Sequence, residues 1–265
     1  MDGVDLRETQ PHPARVYDYL LGGKDNFAAD RAVGDQMMKS SPGLRATAHA
    51  NRRFMLRSAR HLAAERGIRQ FLDIGTGLPT APNLHEVVQA VDPASRVVYV
   101  DNDPIVLVNA RALLVGTPQG ATSYLDADLR DPEAILAAPE LRDVLDLGRP
   151  VAVSLIAILH FVVDDAQAAS IVRALLAPLA PGSALAASVL TTDGAPAEIA
   201  GVAAAAAARG IPSRPRPRAE FEAFFTGLDL VDPGIVRVNR WRPDPGDDDT
   251  TGPDAPAYGA VAVKR

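Results

Sequence analysis

Apolar positions change their spacing once along the chain. Before residue 68 they recur every three or four positions, the period of a helix. Val16, Tyr19 and Leu20 share one helical face, and Gly22-Gly23 ends that helix. A second helix is expected from about Asn26 to Met38, and Pro42-Gly43 breaks the pattern again. A long amphipathic helix follows over 44–66, with Phe54, Leu56 or Ala59, and Leu62 as its apolar stripe and Gly67 as its cap. Residues 1–11 are polar and acidic and read as disordered.

From residue 70 short apolar runs alternate with helical stretches. Strands are predicted at 70–74, 96–100, 121–125, 150–156 and 183–190, and helices at 83–91, 104–114 and 166–179. That alternation implies a parallel sheet with helices on both faces. The tail reads differently. It has an alanine-rich helix at 197–209, a proline-spaced basic loop from Arg214 to Arg218, and a helix at 219–225. Strands at 228–238 and 258–263 are close enough to form a hairpin at the sheet edge, with a surface loop of Asp, Gly and Pro at 243–256 between them. The domain division expected is a helical N-terminal extension, 1–67, before an α/β domain, 68–265.

Composition narrows the chemistry. The 265 residues include no cysteine, which excludes disulfides, thiolate metal sites and cysteine nucleophiles. A net charge of −6 gives no overall drive toward nucleic acid or anionic membrane. The first residues carry Asp2, Asp5, Arg7 and Glu8 with no apolar run behind them, and the longest apolar stretch, 151–163, is short and contains Ser154 and His160. A cytoplasmic protein with no membrane partner is expected. The five histidines (His12, His49, His61, His85, His160) have no metal-ligand spacing, so no metal is expected.

The strongest chemical signal is Asp73-Ile74-Gly75-Thr76-Gly77, where the first strand runs into glycines. Glycines let backbone approach a ligand without a Cβ, and open parallel sheets bind ligands beyond the carboxyl ends of their strands. Asp101, with Asn102 beside it, ends the second strand and can accept from both hydroxyls of a ribose. Asp128 follows the third strand and can accept from an adenine amine, with Leu129 beside the ring. Ala157 to His160 ends the fourth strand and would floor the pocket. A nicotinamide dinucleotide needs a helix N-terminus packed on the turn for its pyrophosphate. Here Pro79 takes the third glycine position, residues 80–82 delay the helix, and Asp73 would repel a phosphate while suiting a cationic amine. Charge favours S-adenosylmethionine.

With those residues the chain resembles class I S-adenosylmethionine-dependent methyltransferases over residues 70–265. It resembles more closely an actinobacterial family of candidate S-adenosyl methyltransferases, a domain of unknown function. The closer likeness rests on Pro13 through Phe27 (PARVYDYLLGGKDNF), Asn51-Arg52-Arg53-Phe54, Phe71 through Thr80, and Val98 through Pro104. It implies a Rossmann-like, doubly wound seven-stranded sheet of order 3-2-1-4-5-7-6, strand 7 antiparallel, with cofactor contacts at Gly75, Gly77, Asp101 and Asp128. Pro79 departs from the wider superfamily. The resemblance brings no substrate, and the absence of an N-P-P-Y-type motif and of a catalytic cysteine disfavours base methylation of those kinds.

Two segments remain. Pro13 to Phe27 is dense in hydrogen-bonding groups and can form a lid over the cofactor, with Arg15 or Tyr19 holding the methionine carboxylate and Asn26, Arg31 and Arg52 as weaker candidates. A capped, solvated helix is the alternative. His160 stands where a methyl group would leave, so it is either a general base for a hydroxyl acceptor or a histidine packed under the next helix. Three functions compete: a methyltransferase with a small-molecule acceptor, a non-catalytic S-adenosylmethionine or nucleotide sensor, and a nicotinamide enzyme.

Overall fold

The structure is a computed structural model, and it describes residues 7–113, 116–245 and 252–265. Three helices come first: α1 (Pro13–Leu21), α2 (Ala28–Ser40) and α3 (Leu44–Ala64). The alternating part follows as β1 (Gln70–Ile74), α4 (Leu84–Val91), β2 (Arg96–Asp101), α5 (Pro104–Leu113) and β3 (Ala121–Asp126). Next come α6 (Pro132–Ala137), α7 (Pro139–Arg142), β4 (Ala152–Ile156), α8 (Asp165–Leu176) and β5 (Ala184–Leu190). The tail adds α9 (Pro196–Ala207), α10 (Arg218–Glu222), β6 (Leu228–Leu230), β7 (Val236–Arg237) and β8 (Ala257–Lys264).

The sheet runs β3-β2-β1-β4-β5-β8-β6, with β7 paired to β8. Strands β1 to β5 are parallel, and β8 is antiparallel to β5 and β6. The path is the expected one. It carries eight strands rather than seven because the predicted strand at 228–238 is two short ones. The segment Val231 to Gly234 turns between them, closed by Gly234 N–H to the Val231 carbonyl at 2.8 Å, with Pro233 unable to donate to a ladder. The two short helices α6 and α7 were not anticipated. Each opens on a proline at a first-turn position, and Asp131 caps α6 through the Ala134 amide at 3.0 Å.

Period-two alternation sends the strand residues to two cores. Leu72, Ile74, Val98, Val153 and Leu185 pack toward α8 and Phe221. Phe71, Val97, Tyr99, Ala152 and Ala186 pack toward α3 and α4. Helix α3 is therefore a layer of the sheet core, although the expected boundary at residue 67 sets it apart; α1 and α2 stand over the strand ends. Phe54 of α3 is fully buried, edge-on to the buried Trp241 at 5.5 Å. It lies so close to β8 that a Cβ on Gly259 would meet its ring at 2.9–3.0 Å. The basic loop turns one of its arginines inward. Arg216 is fully buried and donates to the carbonyls of Leu159 (2.8 Å) and Val162 (2.6 Å) and to Asp165, while Arg214 pairs with Asp165 and Glu220. Of the expected surface loop at 243–256, positions 246–251 lie outside the described residues, as do 1–6 of the expected disordered end.

Candidate functional site

A cavity of ≈ 450 Å³ opens beyond the carboxyl ends of the strands, roofed by α1, α3 and α9. Asp73, Gly75, Thr76, Gly77, Asp101, Asn102, Asp128, Leu129, Ala157 and His160 all line it, so the structure brings the strand-end candidates together.

The turn after β1 is held by its neighbours. Gly75 has φ +72° and donates to the Val100 carbonyl at 2.8 Å; a Cβ there would strike Ile158 at 2.7 Å. The Thr76 hydroxyl donates back to the Asp73 carbonyl at 2.9 Å. Gly77 has nothing within 4 Å of its Cβ position, which leaves room above the backbone. Its N–H donates to Asp101 Oδ2 at 2.8 Å, and the Asp103 N–H donates to Asp101 Oδ1 at 3.0 Å. Both oxygens of Asp101 are thus aimed, and each keeps a lone pair for a further donor. Asn102 Nδ2 donates to Asp128 Oδ2 at 3.1 Å, and Arg130 holds Asp128 through its N–H at 2.8 Å and its guanidinium at 3.1 Å. Helix α4 starts only at Leu84, well past the turn, and the amide of its second residue His85 is taken by the Tyr99 hydroxyl at 2.8 Å.

The charged floor is an opposed pair. Burial lifts the Asp73 carboxyl from 3.8 to about 6, against the pull of Ser154 and Arg52 and with a smaller push from Asp101. Arg52 reaches over from α3. One of its nitrogens donates to the Thr80 and Pro82 carbonyls, while Nε is buried with no partner. Burial lowers its pKa, and Asp73 is among the groups that raise it.

The N-terminal candidates sit elsewhere. Arg15 does not line the cavity: its guanidinium bonds Asp30 at 3.1 and 3.2 Å, lies 3.3 Å from Asp103, and donates to the Gln10 carbonyl. Tyr19 donates to Asp35 at 2.7 Å on the surface, with Arg45 over its ring. Asn26 donates to Asp18 (2.8 Å) and to the Gly23 carbonyl (3.0 Å), and accepts from Arg31. Asp30 and Asp103 engage Arg15, Asp35 engages Tyr19, Asp18 engages Asn26, which also bonds Arg31, and none of Arg15, Tyr19, Asn26 and Arg31 lines the cavity. The cavity-lining members of the segment are instead Pro13, Ala14, Val16, Tyr17 and Leu20, with His12 just before it.

At the end of β4, Ala157 has φ +54°, a left-handed conformation costing an alanine about 1 kcal/mol. It is held by Ser188, whose hydroxyl accepts its N–H at 2.9 Å. The same hydroxyl donates to Asn51 at 2.6 Å, Asn51 donates to Tyr17 at 2.9 Å, and Tyr17 donates to the Ala48 carbonyl at 3.0 Å. Sequence reasoning missed this chain. Its signal was present as a polar Asn51 on the buried stripe of α3, three and four positions from Ala48 and Met55. His160 is buried against Phe161, its Nδ1 without a partner, and burial with the nearby Arg216 charge lowers its pKa to about 3. Burial thus makes this ring a weaker base than the general base expected at this position.

The arrangement fits the expected donor. Asp101 offers paired acceptors for a diol, Gly77 leaves open backbone, and Asp73 with Arg52, both lining the cavity, offers one charge of each sign to an amino acid. Among the described residues no cluster of three or more His, Asp or Glu could hold a metal, and no helix is long and apolar enough to cross a membrane.

Comparison with known proteins agrees with the geometry. A family model described as S-adenosyl methyltransferase matches residues 2–265. A DUF574 family protein of Streptomyces avermitilis is 55% identical, with 98% of this chain and 100% of that one covered and a TM-score of 0.93. A candidate methyltransferase of Thermobifida fusca is 42% identical, covering 98% and 97%, with a TM-score of 0.89. Human N-acetylserotonin methyltransferase in complex with SAM shares the fold alone, at 14% identity, 97% and 64% coverage and a TM-score of 0.51. No curated protein matches. The chain belongs to the S-adenosyl methyltransferase family, whose methyl donor is S-adenosylmethionine.

Proposed function

We propose that this chain is an active methyltransferase that moves the methyl group of S-adenosylmethionine to a small-molecule acceptor in the cytoplasm, with no nucleic-acid partner. The observation that carries the reading is that the Asp73 carboxyl and the Arg52 guanidinium, coupled by their charges, line one cavity with Asp101. In this reading Arg52 holds the methionine carboxylate, the role expected of Arg15 or Tyr19, and Asp73 faces the amine. Asp101 accepts from the ribose hydroxyls. Asp128 and Leu129 meet the adenine, with Asn102 fixing Asp128. Gly75, Thr76 and Gly77 shape the backbone beneath, Ala157 closes the floor at β4, and α1 with α2 forms the lid.

When bound, the cofactor supplies an electrophilic methyl group; the protein's part is to position donor and acceptor in line and to exclude water. Calorimetric titration separates the competing functions. S-adenosylhomocysteine binds and NAD does not if the reading holds; the reverse identifies a nicotinamide enzyme. Transfer of labelled methyl into a metabolite extract then distinguishes an enzyme from a sensor that binds cofactor without turnover.

A further inference from the structure

The far half of the cavity lies beyond β4 and β5, under α9, and is continuous with the half that Asp101 lines. Leu44, Ala48, Leu190, Val202, Ala206 and Ile211 give it apolar walls. Helix α9 seals it with hydrocarbon: Val202 packs with Leu20, Leu44 and Ala48, and Ala206 packs with Val16, Val33 and Ile211. Ser188, Asn51 and Tyr17 bond one another in the chain described above, and the Thr47 hydroxyl donates to the Gly43 carbonyl at 3.1 Å. His160, buried with Nδ1 unpaired, and Ser213 add an imidazole and a hydroxyl. Among the described residues the ions that line the cavity stand in the other half. Asp73, Asp101, Asp128 and Arg130 lie at or after the ends of β1, β2 and β3, and Arg52 bonds the Thr80 and Pro82 carbonyls. Arg7 and His12 precede α1, where His12 meets Asp103 at 2.9 Å.

We propose that this half holds the body of the methyl acceptor, and that it selects a neutral, predominantly apolar small molecule over ions of either sign. The proposal rests on the methyl-transfer reading above. A ligand enclosed by these walls leaves its water behind. An ion would exchange hydration for hydrocarbon and uncharged polar groups, with no counter-charge among them, so either sign is penalised. An apolar body gains from the same exchange, in proportion to the area it hides. The imidazole and the hydroxyl can each bond an uncharged polar group of the ligand without neutralising a charge. The donor's sulfonium is a separate influence: it repels a cation and attracts an anion. Walls and cofactor are therefore told apart by changing the charge of the cofactor.

The test uses the full chain loaded with S-adenosylhomocysteine, and again with sinefungin, which carries an ammonium where the donor carries its sulfonium. Calorimetry at about pH 7.5 compares three molecules of one shape: 2-naphthylmethanol, which is neutral, 2-naphthylmethylamine, a cation, and 2-naphthoate, an anion. The alcohol is expected to bind the S-adenosylhomocysteine complex about tenfold or more tighter than either ion, and to stay the tightest of the three in the sinefungin complex. An ion that matches or exceeds the alcohol in either complex overturns the proposal. So does failure of all three to bind a chain that holds S-adenosylhomocysteine. Failure of S-adenosylhomocysteine itself to bind overturns the methyl-transfer reading beneath it. Ala48→Phe is expected to abolish binding of the alcohol and spare S-adenosylhomocysteine; alcohol binding that survives it misplaces the site. Ala206→Leu on α9 serves the same end if Ala48→Phe does not fold.

Discussion

The two halves of the cavity differ in how far the chain travels to build them. Beyond β1 to β3 the binding groups come from successive strand ends, and the amide of Gly77 meets Asp101 only 24 residues on. Beyond β4 and β5 the walls come from α1, α3 and α9, and the bond between Ser188 and Asn51 spans 137 residues. The first half offers backbone amides and carboxylates with spare lone pairs. The second has closed its Ser188-Asn51-Tyr17 chain on itself and offers mostly shape. The first half is thus a local device, whereas the shape of the second is set by helices packed from distant parts of the chain.

Substitutions can break that contrast. Arg15→Ala has the largest expected effect. It strips Asp30, which is fully buried, of its cation, and should lower unfolding free energy by about 3–5 kcal/mol in urea titration. Cofactor affinity of the folded protein should stay within about threefold; a collapse of affinity would move α1 into the cofactor half. Next, Arg52→Ala should weaken cofactor binding by about 10- to 100-fold, roughly 1.5–3 kcal/mol in calorimetry, because a charge-assisted bond is lost. An unchanged affinity would return the carboxylate to another donor.

Asp73→Asn separates binding from stability. The folded carboxyl titrates near 6 and the unfolded one near 3.8, so between these values the folded state holds the extra proton. Stability conferred by that proton is present at low pH, falls as pH rises from about 4 to about 6, and is gone above that. The asparagine variant should therefore be more stable at pH 7 by about 1–3 kcal/mol and lose this slope, while binding cofactor less tightly. Thermal melts across pH check the sign, and a variant less stable at pH 7 would contradict it. The smallest effect belongs to Ala157→Gly: relief of a left-handed alanine against added unfolded-state freedom should change stability by under about 1 kcal/mol. A larger loss would mean that the alanine methyl packs against something essential.

The strands and the glycine turn were legible because apolar runs and φ-permissive residues write themselves locally. The acids at Asp101 and Asp128 were legible for the same reason, each ending a readable strand. Arg15, Tyr19 and Asn26 misled because a dense polar stretch says nothing of which groups will meet. Arg15 finds Asp30 fifteen residues on and Asp103 eighty-eight residues on, and local reading cannot see the second partner. Arg52 was named only weakly, since its value depends on its lining the same cavity as Asp73, which is a property of the packed α3. The basic stretch at Arg214 to Arg218 looked exposed because proline spacing suggests a loop. Arg216 is instead buried where backbone carbonyls need donors. His160 was correctly placed at the end of β4, but its basicity is set by its surroundings.

Gly259 lies in β8, the last strand of the chain, two positions after the cavity-lining Ala257. A methyl group there would press on Phe54, which follows Asn51 and Arg52 by three and two positions on the same helix. Descent can therefore alter this strand only in a fixed order. Phe54 must shrink first, at the cost of a hollow beside Trp241, or α3 must slide and carry the ligand-facing residues with it. Variation at a silent position near the end of the chain is thereby yoked to what the protein can bind.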